Sequence, residues 1–368
     1  MKWQIPVAKP DIGNDEIEAV TEVLKSGWIT QGENVLKFEN KFSKFCMAKY
    51  GIATSSGTSA LHAALAVCGV SKGDNVITTP LSCIASSNPI LLQGALPIFI
   101  DTDKRTFNID VDLIEAKITN KTKAILVVHL FGHPVDMDPL MELAEKYDLK
   151  VIEDAAQAMG AMYKGKRAGS IGHISCFSLY ANKIITTGEG GMIVTKDSDL
   201  DKELRSIRNL GEDDKLNFCY PRLGYNYKMT DLQASIGLIQ LSKIDRLIVK
   251  RRKNIIELNN ELEGYAEIES LPLELDYAHN VYFSYYIQMR DPKLRNKMVQ
   301  FLGKSGIETR PFFCLIPDQQ PYRRMGYTAT RFKNSLKSFE NGFYISNSPS
   351  LTHEDKSYII NSIKKGLR

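Results

Sequence analysis

No run of about 18 apolar residues occurs anywhere in the 368-residue sequence, so no transmembrane helix and no membrane partner are expected. The opening stretch Met1-Lys2-Trp3-Gln4-Ile5-Pro6-Val7 has no long apolar centre of the kind a secretion signal carries. Cysteine is sparse. Cys46, Cys68, Cys83, Cys176, Cys219 and Cys314 lie far apart and form no CxxC pair, which disfavours zinc or any other metal site and fits free thiols in a reducing cytoplasm. Charge of one sign is scarce too: 47 basic against 43 acidic residues leave a net charge of +4, too small and too scattered to carry a nucleic-acid interface. Repeats and low-complexity tracts are absent. What is present, 43% hydrophobic and 24% charged residues, is the mix of a folded globular chain and not of a disordered, collagen-like or coiled-coil one.

At roughly 150 residues per domain, the length fits two domains, or one large domain with an appendage. The first two-thirds alternate between helix and strand signals. Asn14 is placed to cap a helix whose Ile17, Val20 and Leu24 share one face, with Gly27 beyond its end. A second helix begins near Thr58, with Leu61, Ala64, Leu65 and Cys68 as its buried stripe and Gly69 as its stop. Apolar or β-branched runs follow at 76–79, 97–100, 124–128 and 150–152, separated by helical stretches such as 111–118 and 139–147. This alternation predicts an α/β fold with a mostly parallel central sheet covered by helices on both faces. From Met229, the spacing of Leu232, Ile236, Ile239, Ile244 and Leu247 predicts one long helix running to Leu262. Beyond Gly264 the signals mix, and Ile287 and the stretch 306–313 read as parts of a smaller unit. The expected division is a large α/β domain over 1–245 and a small C-terminal α+β domain over 246–368.

Four clusters could carry chemistry. Ser55-Ser56-Gly57-Thr58-Ser59 precedes a helix, where free backbone N–H groups and the helix dipole favour an anion; a serine-rich N-cap explains the same residues. In Val151-Ile152-Glu153-Asp154-Ala155-Ala156-Gln157, Asp154 ends a buried strand, at the edge where open α/β sheets place their ligands. It can hold a protonated ring nitrogen, with Gln157 reaching a neighbouring ring oxygen; an ordinary N-cap aspartate is the plain alternative. In the stretch 177–191, Lys183 is flanked by apolar residues and followed by a glycine-rich turn. Partial desolvation would lower its pKa from about 10.4 and make the amine a nucleophile toward an aldehyde, unless the side chain simply snorkels out of a strand end. Ser178 can add a hydroxyl to the anion site. In 223–234, Asn226 lies in a polar loop and Thr230 or Asp231 can cap the next helix, and the residues alone say no more.

An anion cup, a strand-end acid and a nucleophilic lysine together describe a pyridoxal 5′-phosphate (PLP) site. The sequence resembles the DegT-type sugar aminotransferase family, of the aspartate aminotransferase fold. The resemblance spans almost the whole chain: Gly27-Trp28-Ile29, Gly57-Thr58, Thr122-Lys123-Ala124-Ile125, Val128-His129-Leu130-Phe131-Gly132, and the blocks 153–191 and 224–237. Within the family, the block 182–191 is most similar to the GDP-perosamine synthases. The resemblance implies that Lys183 bonds the cofactor aldehyde and later carries the substrate α-proton. It implies that Asp154 pairs with the pyridine nitrogen, that Gln157 contacts the ring oxygen O3′, and that Thr58, the Gly57 backbone and Ser178 hold the phosphate. Asn226 would reach the phosphate of the other subunit, so that a homodimer shares its active sites. Glutamate is the implied amino donor and a nucleotide-linked 4-keto-6-deoxy sugar the implied acceptor, for surface polysaccharide synthesis. A dehydrating subgroup of the family replaces the lysine with histidine, and Lys183 argues against membership of it.

The chain departs from the family pattern at several places. Cys83 stands where an aromatic residue usually stacks on the cofactor ring, His173 where an aspartate is usual, and Lys228 where an arginine is usual. Arg310-Pro311 keeps the family's start of a segment that then lacks its histidine, near Pro317 and Asp318. Arg310 can grip a carboxylate or phosphate with its planar fork, or form a surface salt bridge. Trp28 and Ile29 can line a sugar pocket or make a plain hydrophobic contact. His129, at the end of an apolar strand, reads as a satisfied core histidine. The basic runs Lys250-Arg251-Arg252-Lys253 and Lys364-Lys365 read as solvated helix faces. Two other functions fit the departures: an aminotransferase acting on a small phosphorylated ketone, and a PLP-binding regulator without turnover.

Overall fold

The computed structural model describes residues 3–213, 216 and 218–368; Met1 and Lys2 of the opening stretch lie outside them. Seven strands make the central sheet: β1 (Tyr50–Thr54), β2 (Asn75–Thr78), β3 (Leu96–Phe99), β4 (Thr122–Val128), β5 (Lys150–Asp154), β6 (Ile174–Ser178) and β7 (Gly191–Thr195). They run in the order β1-β7-β6-β5-β4-β2-β3, and only β7 is antiparallel to its neighbours. The helices around it are α1 (Asn14–Ser26), α2 (Glu33–Phe45), α3 (Gly57–Val67), α4 (Met137–Lys146), α5 (Ser198–Arg208), α6 (Asp231–Ser242) and α7 (Ile244–Leu262).

Strand alternation decides which helices cover which face. Ile52, Leu126, Ile152, Ile174 and Ile193 meet Leu61, Ala64 and Leu65 of α3 and Leu204 and Ile207 of α5. Their strand neighbours Ala53, Phe177, Met192 and Val194 face α2 and α6 through Phe38, Phe42, Ala234 and Leu241. Farther along, Ile125, Val127 and Val151 lie under Met137, Leu140 and Ala144 of α4. With both faces covered, the strands read as unbroken apolar runs.

The second sheet is antiparallel throughout: β8 (Ile268–Ser270), β9 (Tyr285–Met289), β10 (Arg310–Pro311) and β11 (Gly342–Ile345), in the order β8-β9-β11-β10. With α8 (Pro292–Lys304), α9 (Lys333–Asn341) and α10 (His353–Leu367) it forms a smaller unit. Residue 245 falls in the first turn of α7, and that helix serves two cores. Leu247 and Ile248 pack with the large unit, while Ile255, Leu258 and Leu262 pack with the small one. The chain also crosses back. Ile5 bridges Ile307 and joins the small core, whereas Phe312, Leu315 and Ala329 join the large one.

Four local expectations need correction. The long helix from Met229 is two, α6 and α7, separated at Lys243. Neither Gly nor Pro marks the break, and Lys243 there turns its amine to Glu16 at 2.8 Å. That ion pair also reshapes α1. Glu16 accepts the Gly13 N–H at 2.9 Å, and the N-cap is Gly13, with Asn14 the first residue of the helix. Glu16 and Val23 are buried, whereas Ile17 and Leu24 stand 60% and 57% exposed. The stretch 111–118 forms two short 3₁₀ turns instead of a helix. In the basic run of α7, Arg251 is buried and donates to the carbonyls of Phe283 and Asn347, both at 2.9 Å. Among the described residues, no helix is long and apolar enough to cross a membrane.

Candidate active site

Parallel strands put their C-terminal ends on one sheet edge, and here that edge gathers the expected chemistry. Thr54, Gly191 and Ser178 stand side by side across β1, β7 and β6, and Cys176 stands beside Asp154 of β5. A cavity of about 290 Å³ opens above them. Gly57, Thr58, Asp154, Gln157, Ser178 and Lys183 all line it.

The cup begins at α3. A helix leaves its first four N–H groups without intrahelical acceptors. Two of them are satisfied reciprocally: the Ser56 hydroxyl accepts the Ser59 N–H at 3.0 Å, and the Ser59 hydroxyl accepts the Ser56 N–H at 2.9 Å. The N–H groups of Gly57 and Thr58 have no protein acceptor among the described residues, and they carry the positive end of the helix dipole. Ser178 lies beside them.

Asp154 is buried, yet both its oxygens are held. Ser86 donates its hydroxyl to Oδ2 at 2.7 Å and the Ala156 N–H donates to Oδ1 at 3.1 Å. Gln157 accepts the Phe131 N–H on Oε1 at 2.9 Å, which leaves its Nε2 as the end free to donate. Behind this wall His129 is fully buried, as its place at a strand end implied. Its Nδ1 accepts the Val135 N–H at 3.1 Å, so the ring proton sits on Nε2 and is donated to Glu153 at 2.9 Å. Burial pushes the Glu153 carboxyl up, but His129 and the amides of Gly172 and Gly169 outweigh it and hold the group below the usual carboxylate value.

Lys183 sits in a loop closed on itself by hydrogen bonds from Leu179 to Gly190 and from Thr187 to Leu179. The closure requires glycine at 190: its φ is +159°, and a Cβ would lie 2.3 Å from the Thr187 hydroxyl. The Lys183 amine stands 4.8 Å from the centre of the Phe283 ring. Enclosure by protein lowers its pKa below the ordinary lysine value, against the opposing pull of Asp154 and Cys83.

Four expected residues are not brought to this cavity. Trp28 is 61% exposed and donates its indole N–H to the Gln31 carbonyl at 3.1 Å. Ile29 is exposed. Arg310 forms a surface ion pair with Glu308 at 2.7 Å, and Asn226 lies in an exposed segment bridged to Asn209. At the other departures, His173 accepts the Val151 N–H at 3.0 Å and Lys228 donates to Asn209 at 2.8 Å. Cys83 does line the cavity; Phe177 and Tyr180 line it from the lysine segment itself, and Phe283, Phe313 and Tyr344 bring rings from elsewhere in the chain. Neither these rings nor Ser86 stood out in the sequence, because each arrives from a distant segment with no local motif. No group of three or more metal-ligating side chains occurs among the described residues.

Residues 10–364 match the DegT/DnrJ/EryC1/StrS aminotransferase family. The chain belongs to this family. It is 40% identical over 366 residues to the GDP-perosamine synthase of Escherichia coli O157:H7, a match covering 99% of each chain. It is 40% identical over 325 residues to the GDP-perosamine synthase of Caulobacter vibrioides, covering 88% of each. Spr1654 of Streptococcus pneumoniae, solved in a PLP form, shares the fold with a TM-score of 0.94 at 30% identity, covering 99% of this chain and 98% of that one. The protein is therefore a PLP-dependent aminotransferase with the α/β fold of that family, which removes the regulator without turnover. Its cavity suits the cofactor: open amides and hydroxyls for a phosphate, a buried carboxylate for a protonated ring nitrogen, and an amine for an aldehyde.

Proposed function

We propose that the protein moves an amino group from glutamate to a nucleotide-linked 4-keto-6-deoxy sugar in the synthesis of a surface polysaccharide. The observation that carries this reading is the opening of the Lys183 amine onto the cavity shared by Asp154 and the α3 amides, in a chain 40% identical to two GDP-perosamine synthases. PLP, when bound, supplies an aldehyde to receive the amino group and a ring that withdraws electrons from the reacting carbon.

The chain's own residues do the rest. Lys183 holds the cofactor covalently and moves the proton at the substrate carbon; its lowered pKa leaves more of it as free amine at neutral pH. Asp154, fixed by Ser86 and Ala156, keeps the ring nitrogen protonated. Gln157 donates to the ring oxygen. Gly57, Thr58 and Ser178 hold the phosphate.

Asn226 extends to the phosphate of a second copy, making the homodimer the working unit. Two features support this. Asn226 lies outside its own cavity, and near it a set of apolar side chains stands uncovered: Leu210, Leu216, Phe218 and Leu223, the last 93% exposed. Exposed large apolar side chains gathered along one segment favour an interaction site there. Trp28, Ile29 and Arg310 then meet the sugar or its nucleotide from the rim or from the partner. We place the reaction in the cytoplasm, where the six free thiols are stable.

The test is an amine-transfer assay with glutamate and a panel of nucleotide-linked keto sugars. Turnover on at least one of them, lost when the nucleotide is removed, is expected. Equal turnover on a small phosphorylated ketone would replace the sugar acceptor with that class.

A further inference from the structure

Asn226 stands between two tyrosines that both pack on one buried histidine of the cup helix. His62, on α3, is 5% exposed, and its Nδ1 lies 2.9 Å from the Tyr227 hydroxyl. The rings of Tyr225 and Tyr227 stack, with centres 4.8 Å apart and planes 10° apart, and the His62 ring lies 4.9 Å from that of Tyr225. The other imidazole nitrogen, Nε2, is buried with no partner among the described residues. An unsatisfied buried polar atom is a cost that an apolar residue at 62 would avoid, so packing does not account for a histidine between Leu61 and Ala63. Its bond to Tyr227 does.

The loop is held at both ends. The Ser55 N–H, at the entrance to the cup, donates to the Tyr227 carbonyl at 2.7 Å. The N–H groups of Tyr225 and Tyr227 donate to the carbonyls of Ile207 and Arg208 at the end of α5, at 2.7 and 3.0 Å. Asn226 thus sits on a short piece tied to the helix whose first turn forms the cup.

We propose that His62 is a positioning residue that, through Tyr227, sets the reach of Asn226 toward the cofactor phosphate of the partner. The cup of one protomer and the arm it lends to the other then form one rigid piece. This rests on the reading, given above, that Asn226 reaches the phosphate of a second copy.

The experiment titrates the apo-protein with PLP and with pyridoxal, which lacks the phosphate, for the native chain, Tyr227→Phe, Asn226→Ala and the double variant. Tyr227→Phe removes one hydroxyl and leaves the ring stack, so its fold is preserved. It should weaken PLP about threefold to tenfold, the scale of one lost hydrogen bond, and leave pyridoxal unchanged. The double variant should bind PLP no more weakly than Asn226→Ala alone. Equal weakening of pyridoxal, or a Tyr227→Phe effect that persists in full beside Asn226→Ala, overturns the proposal, as does no effect of Tyr227→Phe when Asn226→Ala weakens PLP. If Asn226→Ala itself leaves PLP binding untouched, the reading of Asn226 fails first and the proposal falls with it.

Discussion

Gly57 rests against Ser178 so closely that a Cβ placed on it would lie 2.8 Å from the Ser178 Cβ and 3.2 Å from its Cα. That approach joins the two open amides of α3 to the last hydroxyl of β6. A methyl group at 57 meets Cβ and backbone, not the free end of a flexible chain, so α3 must move away. Gly57→Ala is expected to weaken PLP binding by tenfold or more, because it displaces the amide cup as a whole. Ser178→Ala, which deletes one hydroxyl, should cost only about threefold to tenfold. Absorbance titration of the two apo-variants measures both, and a Gly57→Ala protein with native affinity would show that the cup is not where the phosphate sits.

Lys183→Ala should leave a folded protein that forms no borohydride-trappable adduct with PLP and has no transaminase activity. The native amine also carries a pH signature. Burial lowers its pKa, so it is an ammonium below that value and a free amine above it. Borohydride trapping of the native apo-protein should rise with pH, with its midpoint below the ~10.4 of an ordinary lysine. A midpoint at or above that value would contradict the burial effect.

Asp154 and Ser86 make a graded pair. Asp154→Asn keeps the shape but removes the charge that holds a ring proton, and should lower kcat about a hundredfold or more while the protein still binds cofactor. Ser86→Ala deletes a single hydrogen bond to that carboxylate, 2.7 Å long, and should cost about tenfold, the scale of a bond to a charged group. If Ser86→Ala is as damaging as Asp154→Asn, the serine does more than orient the acid.

The parts of this molecule that were legible in the sequence are those written in consecutive residues. Strand–helix alternation, the turn at Gly188 and Gly190, and the order of Gly57, Asp154, Ser178 and Lys183 are local patterns, and a parallel sheet delivers its strand ends to one edge whatever lies between them. Three kinds of feature were not legible. The abutment of α6 and α7 is hidden because their apolar spacings continue through Lys243. The inner face of α1 is ionic, with Glu16 held by Lys243 and Gln240, so the apolar stripe pointed the wrong way. The aromatic lining at Phe283, Phe313 and Tyr344 depends on how the small unit folds over the large one. Glu153 carries no local mark either: beside Asp154, nothing in the sequence separates a buried acid from a solvent-facing one.

That acid carries the last prediction. Oε1 of Glu153 accepts the Ile171 and Gly172 N–H groups and the Ser175 hydroxyl; Oε2 accepts His129 and the Gly169 N–H. In Glu153→Gln the amide nitrogen faces donors whichever way it is turned, so a buried polar group is left unmatched. The expected loss at pH 7 is about 1–3 kcal/mol, the cost of an unsatisfied buried polar group, read from urea unfolding. The folded carboxyl titrates below the usual value. Its contribution is therefore complete above the unfolded value of about 4.3 and lost as pH falls through the lower folded value. The gap in stability between native and Glu153→Gln proteins should hold from pH 7 down to about pH 5 and narrow below it. A gap that widens with acid would mean that the carboxyl is protonated in the folded state and that His129 is held by something else.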